Sequence, residues 1–599
     1  MAAEGSEGIL ARIAESRAAG RLSALRGLIR SSELALTLIA AGVGALVGLV
    51  VTAMTKAIQA LHVLFFEVEL DGHISGAFDI DPVDAVLWPV AGGVLMGLSL
   101  WLVARMKRPP AVDPIEANAL RGGRMSARDS LIVAGQTMIS NGFGASVGLE
   151  AGYTQAGSGL ASSLGDRLKL RRADMRVLVG AGAAAAIAAA FGAPLTGAFY
   201  AFEVVIGAYA LSNVAPVMAA SIVAMLVSRE LGGAAYHIEA GTIAEVKSLD
   251  YALYLVLGVV CAFLAIAMMR GFVLIERAFA ASRIPPYVRP AIGGLIVGGL
   301  ALITPQVLSA GHGALEYDLA NLQPLHILVM LVALKMLASG ISIGSGFRGG
   351  LFFASLLIGA LVGQAFARAL AMAGPGWLVG PNSAALVGMG AFAVAIVGGP
   401  LTMSFLVLES TGNYALTGAV LATCVVVSLL VREMFGYSFS TWRLHLRGES
   451  IRSAHDVGWI RSLTVGKLMR KDPATAPHDI GLKEFRRRFP LGARKRVLLV
   501  DDAERYAGLV DVADAWAKDL GDTDPPAMDL AREKDAVLTP DLNVKEAMRA
   551  FDLTESETLP VVDSVADRKV IGLLNEAFAA RRYAEELDKS RRELTGEKG

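Results

Sequence analysis

Long uncharged apolar stretches follow one another along the first three quarters of the chain. Several reach the roughly 20 residues that an α-helix needs to cross a bilayer, and others are shorter and broken by glycine or proline. The pattern predicts a polytopic, all-α membrane domain with broken helices. The apolar stretches lie at residues 34–55, 85–104, 177–202, 204–228, 251–269, 290–304, 369–408 and 410–431.

The charged residues between these stretches indicate the orientation of the chain. The loop at 66–84 carries acids without Lys or Arg, whereas the next polar segment, 105–128, carries mainly Lys and Arg. Because Lys and Arg concentrate on the cytoplasmic side of a membrane, the amino terminus and the basic segment are predicted inside. The first 33 residues interleave acids with arginines, unlike a signal peptide, and predict a retained cytoplasmic amphipathic segment.

The composition changes after Arg432. Residues 463–599 are charged and show ordinary strand and helix patterns without another spanning stretch, which predicts a soluble cytoplasmic α/β domain. The predicted boundaries are 1–33 for the amino-terminal segment, 34–447 for the membrane domain, 448–462 for a linker, 463–585 for the soluble domain and 586–599 for a charged tail.

The overall composition supports a membrane protein and argues against other classes. Of 599 residues, 54% are hydrophobic and 18% charged, and the mean hydropathy is +0.53. The formal net charge is zero, so nothing points to nucleic acid. Cys261 and Cys424 lie in apolar stretches, and the eight histidines form no metal-binding spacing. We therefore expect no disulfide framework, no metal site and no enzyme.

An internal repeat runs through the membrane domain. The segment "GAAAAIAAAFGAPLTGAFYAFE" (182–203) resembles "GMGAFAVAIVGGPLTMSFLVLE" (388–409), and pairing Pro194 with Pro400 gives an offset of 206 (400 − 194). This offset is too long for a solenoid repeat and indicates a tandem duplication. Duplicated halves with broken helices are typical of transporters and channels.

Each repeat unit ends on an isolated acid. Glu203 is the only charged residue between Arg176 and Arg229, and Glu409 occupies the equivalent position of the second repeat. An ionisable residue within a membrane segment suggests function. Equivalent acids at the ends of equivalent helices instead favour structural buried carboxylates that accept hydrogen bonds from nearby backbone, and this is the interpretation we prefer.

Two glycine-rich segments are candidates for an anion site. They read "GFGASVGLEAG" (142–152) and "SIGSGFRGGLFFA" (342–354). Broken helices expose backbone N–H groups, and a helix amino terminus carries partial positive charge, so converging ends can hold an anion without a lysine. Close helix packing through small residues is the alternative explanation of these glycines.

Taken together, these segments resemble the CLC family of chloride channels and proton/chloride exchangers, from about residue 34 to 590. The "GLEAG" stretch looks like the family's G-R-E-G-P segment, and the repeat at 182–203 is the most specific match. The resemblance implies two inverted halves, a homodimer with one pore per subunit, and a bacterial inner membrane location with both termini cytoplasmic. By the same resemblance, the gating residue is Glu150, and the anion-binding residues are Gly148, Leu149, Gly350, Leu351, Phe352 and Tyr437.

Several departures from the family pattern bear on mechanism. The first anion motif, G-S-G-I-P, is not recognisable, and alignment by position places Pro110 at the chloride-coordinating serine, so anion selectivity stays open. "GLFFA" ends in Ala354 rather than proline, which removes preorganisation of a helix start but keeps its amide donors. Exchangers of the family usually carry a second acid after Glu203, where this chain has Val204.

The family position of Glu150 implies a pore closed by its own tethered carboxylate. Protonation or displacement by a permeant anion would then open it. Val204 favours passive, channel-like conduction of chloride or another small anion. An anion/proton antiporter is the first alternative, because exchangers without the second acid exist. A membrane sensor with a degenerate pore is the second.

The soluble domain resembles a pair of CBS modules, at 463–518 and 528–585. In such modules an aspartate commonly contacts the ribose of an adenine nucleotide, and Asp514 stands at that position of the first module, whereas Phe578 replaces it in the second. Nucleotide binding is therefore weakly supported. A packing and dimer-contact role is the alternative.

Overall fold

The computed structural model describes residues 33–69, 72–107, 110–232, 246–374, 379–436, 438–439, 441–442, 463–520 and 523–595. The predicted amino-terminal segment before Glu33, the linker at 448–462 and Tyr437 lie outside the described residues. Two compact units divide the chain, Met1–Asp456 and Val457–Gly599.

The described residues of the first unit form helices joined by turns and loops. Eight of its helices are long and apolar enough to cross a membrane. The shorter ones lie between these spans and have the lengths expected of broken membrane helices. In chain order the helices are α1 (Glu33–Phe66), α2 (Pro82–Arg105), α3 (Pro114–Leu120), α4 (Ala127–Gly142), α5 (Glu150–Arg167), α6 (Arg172–Phe191), α7 (Pro194–Tyr200), α8 (Leu211–Glu230), α9 (Ser248–Ala281), α10 (Arg289–Ala301), α11 (His312–Ala320), α12 (Leu325–Ser345), α13 (Phe352–Ala373), α14 (Pro381–Val397), α15 (Pro400–Thr411) and α16 (Tyr414–Met434).

The sequence repeat appears as a repeated helix break. Helix α6 stops at Gly192, whose φ of 66° is left-handed, and α7 begins at Pro194; helix α14 stops at Gly398, with φ 91°, and α15 begins at Pro400. Glycine tolerates the left-handed conformation that ends a helix, and proline suits a first helical turn. The two breaks are separated by the same 206 residues (398 − 192) as the sequence repeat.

The predicted apolar stretches depart from the observed helices in several places. The stretch at 177–202 crosses the break between α6 and α7, and most of α13 was not predicted. The stretch at 369–408 is not one span, because it covers the end of α13, all of α14 and most of α15. Its glycines and prolines break the helix without lowering hydropathy. The prediction also missed α12, because Lys335 interrupts its apolar sequence. That lysine is buried, and its Nζ donates to four backbone carbonyls, the nearest being Ser309 O at 2.9 Å.

Glycines let the helices of each repeat pack closely. A side chain at Gly157 of α5 would begin 2.4 Å from the carbonyl oxygen of Gly182 in α6, and one at Gly359 of α13 would begin 2.3 Å from that of Gly388 in α14. Small residues at such crossings allow backbones to approach in a membrane protein. These two contacts hold α5 and α13, whose amino ends form the candidate site.

The second unit contains two similar α/β halves. Its described helices and strands are α17 (Val465–Leu468), β1 (Thr475–Pro477), α18 (Leu482–Arg488), β2 (Arg496–Val500), β3 (Tyr506–Asp511), α19 (Val512–Ala517), α20 (Val544–Thr554), β4 (Thr558–Val562), β5 (Val570–Asn575) and α21 (Glu576–Thr595). Strand β2 pairs parallel with β1 and antiparallel with β3, and β4 pairs antiparallel with β5.

The two halves of this unit exchange segments. In each antiparallel pair the register shifts near the carboxyl end of the first strand, after Leu499 in β2 and after Val561 in β4. Arg470, in the first half (463–518), bridges to β5 of the second half, and Arg532, in the second half (528–585), bridges to β3 of the first. Exchange of this kind makes the two modules one folded unit.

Candidate functional site

The two glycine-rich segments meet in a short antiparallel bridge. Gly148 N donates to Gly350 O at 2.8 Å, and Gly350 N donates to Gly148 O at 2.9 Å. Immediately after the bridge, one chain enters α5 at Glu150 and the other enters α13 at Phe352. The amino ends of two helices, one from each half of the unit, therefore lie side by side.

Polar side chains hold the irregular backbone that leads into the bridge. Asn141 Nδ2 donates to Val147 O at 2.7 Å, Ser146 N donates to Ser342 Oγ at 3.0 Å, and Arg348 N donates to Ser140 Oγ at 3.0 Å. Backbone groups buried in a membrane protein need such partners. The ends of α4 and α12 thus fix the geometry of the site.

The Glu150 carboxylate lies across these two helix ends. The residue is only 5% exposed, and its Oε1 accepts a hydrogen bond from Phe353 N at 3.2 Å. Its Oε2 is buried without a hydrogen-bond partner among the described residues. That oxygen lies over the two bridge glycines, because a Cβ would begin 2.0 Å from it at Gly148 and 2.8 Å from it at Gly350. Only glycine leaves room for the carboxylate there.

Of the other residues expected to bind an anion, Leu149, Leu351 and Phe352 lie beside this carboxylate, at the starts of the two helices. Leu149 and Leu351 precede α5 and α13, and neither side chain caps its helix. Both residues and Phe352 are buried. Two helix starts, whose first backbone N–H groups have no intrahelical acceptor, thus lie beside one tethered carboxylate. This arrangement is suited to binding a small anion.

A cavity of about 480 Å³ borders the site. It reaches the bridge at Gly350 and Leu351, and its walls carry charged residues of both signs. Its charged lining residues are Asp113, Glu276, Arg289 and Arg348, and Thr154 and Tyr200 are among its hydroxyl-bearing ones.

The structure does not place Pro110 at this cavity. Pro110 is exposed, whereas Ala111 and Asp113 line the cavity. The family motif is absent here, so the alignment that placed Pro110 at the serine rested on position alone. Asp113 caps α3, accepting from Glu116 N at 2.8 Å, and its carboxylate thereby stands at the helix end facing the cavity.

Glu203 and Glu409 have reciprocal partners. Glu203 accepts from Leu401 N, Thr402 N and Thr402 Oγ1 at 2.7 to 3.0 Å. Glu409 accepts from Leu195 N, Thr196 N and Thr196 Oγ1 at 2.7 to 2.8 Å. Both residues are half-buried rather than fully buried. Each acid caps the helix that follows the break in the other repeat.

Val204 follows Glu203 in a π-helical turn, Ala201–Ile206, and is buried. It offers no group that carries a proton.

In the second unit, Asp514 pairs with Arg532 at 2.8 Å, and Phe578 is 39% exposed. No group of three or more metal-binding side chains occurs among the residues that the structure describes.

Sequence reasoning missed Asp113, Tyr200 and Thr154 as members of the site. Two signals were available. An aspartate directly before Pro114 is typical of a helix start, and Tyr200 is paired by the 206-residue offset with the apolar Leu406 (200 + 206), so one repeat carries a hydroxyl that the other lacks.

The relatives of known sequence are described as chloride channel proteins. The family described as "Voltage gated chloride channel" matches residues 92–432. A ClcB-like chloride channel protein of Ralstonia nicotianae is 32% identical over 348 residues, which cover 57% of this chain and 80% of that protein. The voltage-gated ClC-type chloride channel ClcB of Escherichia coli is 29% identical over 416 residues, covering 68% and 98%.

Solved structures share the fold. A slow cyanobacterial Cl⁻/H⁺ antiporter superposes with a TM-score of 0.61 at 23% identity and covers 69% of this chain and 97% of its own. A eukaryotic CLC transporter gives 0.59 at 18% identity and covers 92% and 98%. The covered share of this chain, 92%, is larger than the share that belongs to the first unit, which ends at Asp456 of the 599 residues. The structural likeness therefore extends into the second unit.

Proposed function

Because this chain belongs to the voltage-gated chloride channel family, also called CLC, we propose that it transports chloride or another small anion through a pore gated by Glu150. The observation that carries the proposal is the buried Glu150 carboxylate, which accepts from Phe353 N beside the amino end of α5. A halide and a carboxylate need the same donors, so each excludes the other. The pore is then closed while the carboxylate occupies the site.

Opening requires the carboxylate to leave. Protonation removes its charge and with it the attraction to the helix amino ends, and a permeant anion can displace it by competing for the same N–H groups. Either route makes anion flux depend on pH. We expect that replacing Glu150 by glutamine abolishes the dependence of anion flux on pH.

Passive conduction is the favoured mode. Val204 is buried and apolar where a second acid would deliver protons, and Glu203 is fully engaged with Leu401 and Thr402. Coupled transport needs a proton path that these two residues do not supply.

Anion/proton exchange is the second candidate. The observation that favours it is Tyr200, which lines the cavity beside the gate together with Thr154 and Asp113. These groups supply hydroxyl and carboxylate oxygens beside the gate where Val204 supplies none.

One experiment separates the two modes. The purified full chain is reconstituted in liposomes under a chloride gradient, and the reversal potential is measured at two proton gradients. A reversal potential fixed by chloride alone supports passive conduction, and one that shifts with the proton gradient supports exchange. Glu276→Gln is the matched control for Glu150→Gln, because Glu276 is an exposed acid of the adjoining cavity. Absence of any flux from the wild type overturns both modes and favours a sensor with a degenerate pore.

The remaining parts of the proposal concern assembly and location. We place the protein in a bacterial inner membrane with both termini in the cytoplasm, supported by the Lys and Arg distribution and the bacterial relatives. A homodimer follows from family resemblance. The segment exchange between the two halves of the second unit supports a CBS pair.

A further inference from the structure

A second cavity, of about 350 Å³, lies where the turn after α3 meets the start of α6. Its charged lining residues are Arg121, Arg124 and Arg172, and no Asp or Glu is among its described lining residues. This arginine cavity shares no described lining residue with the cavity beside Glu150. We propose that the arginine cavity binds an anion that carries a phosphate group, and this proposal does not depend on the role of Glu150.

Two consecutive glycines shape one wall of the arginine cavity. Gly122 and Gly123 have φ of 61° and 81°, in the left-handed region that favours glycine. Gly123 N donates to Ala117 O at 2.8 Å, and Gly123 O accepts from Ser162 Oγ at 2.9 Å. The turn is thereby fixed to α3 and α5, so the fold holds this wall in place.

Arg172, the first residue of α6, lies against this turn. A Cβ at Gly122 would begin 2.7 Å from both Cγ and Nε of Arg172, so a larger residue at position 122 would displace the arginine side chain. Arg172 as a whole is exposed. Contact with the turn therefore orients its guanidinium without removing its donors from solution.

The other two arginines are paired with acids but keep donors for a ligand. Glu116 Oε1 accepts from Nε and Nη2 of Arg121 at 3.2 and 2.9 Å, and the Arg121 side chain stays 52% exposed. A guanidinium has further N–H groups beyond the edge used here. Arg124 Nε lies 4.0 Å from Asp166, and these side chains are 76% and 71% exposed. Because so exposed an ion pair is weak, Arg124 is able to turn toward a ligand.

Cations exceed acids in the two segments around the arginine cavity. Residues 116–128 and 166–172 carry seven Lys and Arg against two acids, Glu116 and Asp166. Such an excess of one charge raises the local concentration of anions. By the Lys and Arg distribution, the first of these segments is cytoplasmic, so the ligand reaches the cavity from the cytoplasmic face.

The lining of the arginine cavity favours phosphate over a halide. Guanidinium groups bind phosphate through pairs of N–H donors, whereas a halide has no pair of oxygens to receive them. Leu120, Leu170 and Met175 form an apolar side of the cavity, which suits the organic part of a phosphate ester. Basic pockets between membrane helices on the cytoplasmic side bind lipid headgroups in this way. The same phosphate chemistry is available from an anionic lipid and from a soluble anion.

The test uses the purified full chain in a maltoside detergent, which carries no phosphate. Native mass spectrometry measures binding of phosphatidylglycerol, with zwitterionic phosphatidylcholine for comparison, and calorimetry measures binding of inorganic phosphate. The double variant Arg124→Gln and Arg172→Gln should bind about tenfold more weakly for each arginine removed, because hydrogen bonds between charged groups are lost. The matched control is Arg128→Gln and Arg171→Gln, since both residues are exposed, lie in the same two segments and do not line the cavity. An unchanged melting temperature without ligand verifies the folding of both double variants.

The outcomes separate the two sources of phosphate. Phosphatidylglycerol binding that only the first double variant weakens supports a lipid-headgroup site, and inorganic phosphate binding with the same dependence supports a soluble ligand. Equal losses in both double variants would indicate diffuse attraction by the basic segments and would overturn the proposal. Absence of binding by the wild type, full binding by the first double variant, or equal binding of phosphatidylcholine would overturn it as well. Because Arg124 and Arg172 do not line the cavity beside Glu150, each result leaves the gate assignment unaffected.

Discussion

The Glu203 and Glu409 carboxylates accept hydrogen bonds across the two repeats: each one caps the start of a helix that belongs to the other acid's repeat. The bonded threonines, Thr402 and Thr196, are themselves equivalent positions, 206 apart (402 − 196). This reciprocity ties the two halves of the membrane unit to each other and orients α7 and α15.

Glutamine at either acid should destabilise the protein to a similar degree. Glu203→Gln or Glu409→Gln replaces one acceptor oxygen by a donor NH₂ that faces backbone N–H groups, and loss of hydrogen bonds to a charged group costs about 2 kcal/mol. Thermal unfolding in detergent measures the effect, with Glu276→Gln as the control. Wild-type stability of either variant would show that these carboxylates do not hold the repeats together.

A methyl group at either bridge glycine should force the gate open. Gly148→Ala or Gly350→Ala places a Cβ 2.0 or 2.8 Å from Glu150 Oε2, closer than atoms can approach, so the carboxylate has to leave. Chloride flux from liposomes should then be high and independent of pH.

The control for this change is Gly135→Ala, because nothing lies within 4 Å of a Cβ at Gly135 in α4. That variant should keep the flux and pH dependence of the wild type. Retained pH dependence in folded Gly148→Ala would mean that the carboxylate is not where the structure places it.

Adenine nucleotides should bind the second unit weakly or not at all through Asp514. Its carboxylate is already paired with Arg532, and the equivalent position of the other module is Phe578. Calorimetry of the full chain with ATP and with AMP is expected to give no heat beyond dilution. Binding that Asp514→Asn removes, while Asp511→Asn retains it, would contradict this.

Alkaline pH should destabilise the second unit through Tyr506. Burial raises the pKa of this tyrosine, whose hydroxyl donates to Glu533 O at 2.9 Å. Its contribution to stability is therefore complete below the unfolded pKa of about 10 and is lost as pH rises through the higher folded value. Limited proteolysis of the full chain at pH 8 and pH 11 measures this. Tyr506→Phe should remove part of the difference, and an unchanged difference would argue against the assignment.

The sequence predicts the architecture better than it predicts the pore. Hydropathy locates the spans, and the repeat at Pro194 and Pro400 identifies the duplication, because both depend on local composition. The breaks within 369–408 were missed since glycine and proline do not lower hydropathy. Helix α12 was missed because a buried lysine, Lys335, looks like a loop residue until its carbonyl partners are known.

For the site, family resemblance named Glu150, whereas only the fold shows what surrounds it. The bridge between Gly148 and Gly350 joins positions about 200 residues apart (350 − 148), and no sequence periodicity links them. Asp113 and Tyr200 come to one cavity for the same reason. Their chemistry is visible in the sequence, but their proximity is produced by tertiary packing.

The most direct measurement is a crystallographic anomalous-scattering map of wild type and Glu150→Ala grown in bromide. The account predicts that the wild-type map shows the carboxylate beside Phe353 N, and that the variant has a bromide peak within hydrogen-bonding distance of that amide. A wild-type side chain pointing to solvent, together with no halide near Phe353 N in the variant, would contradict it.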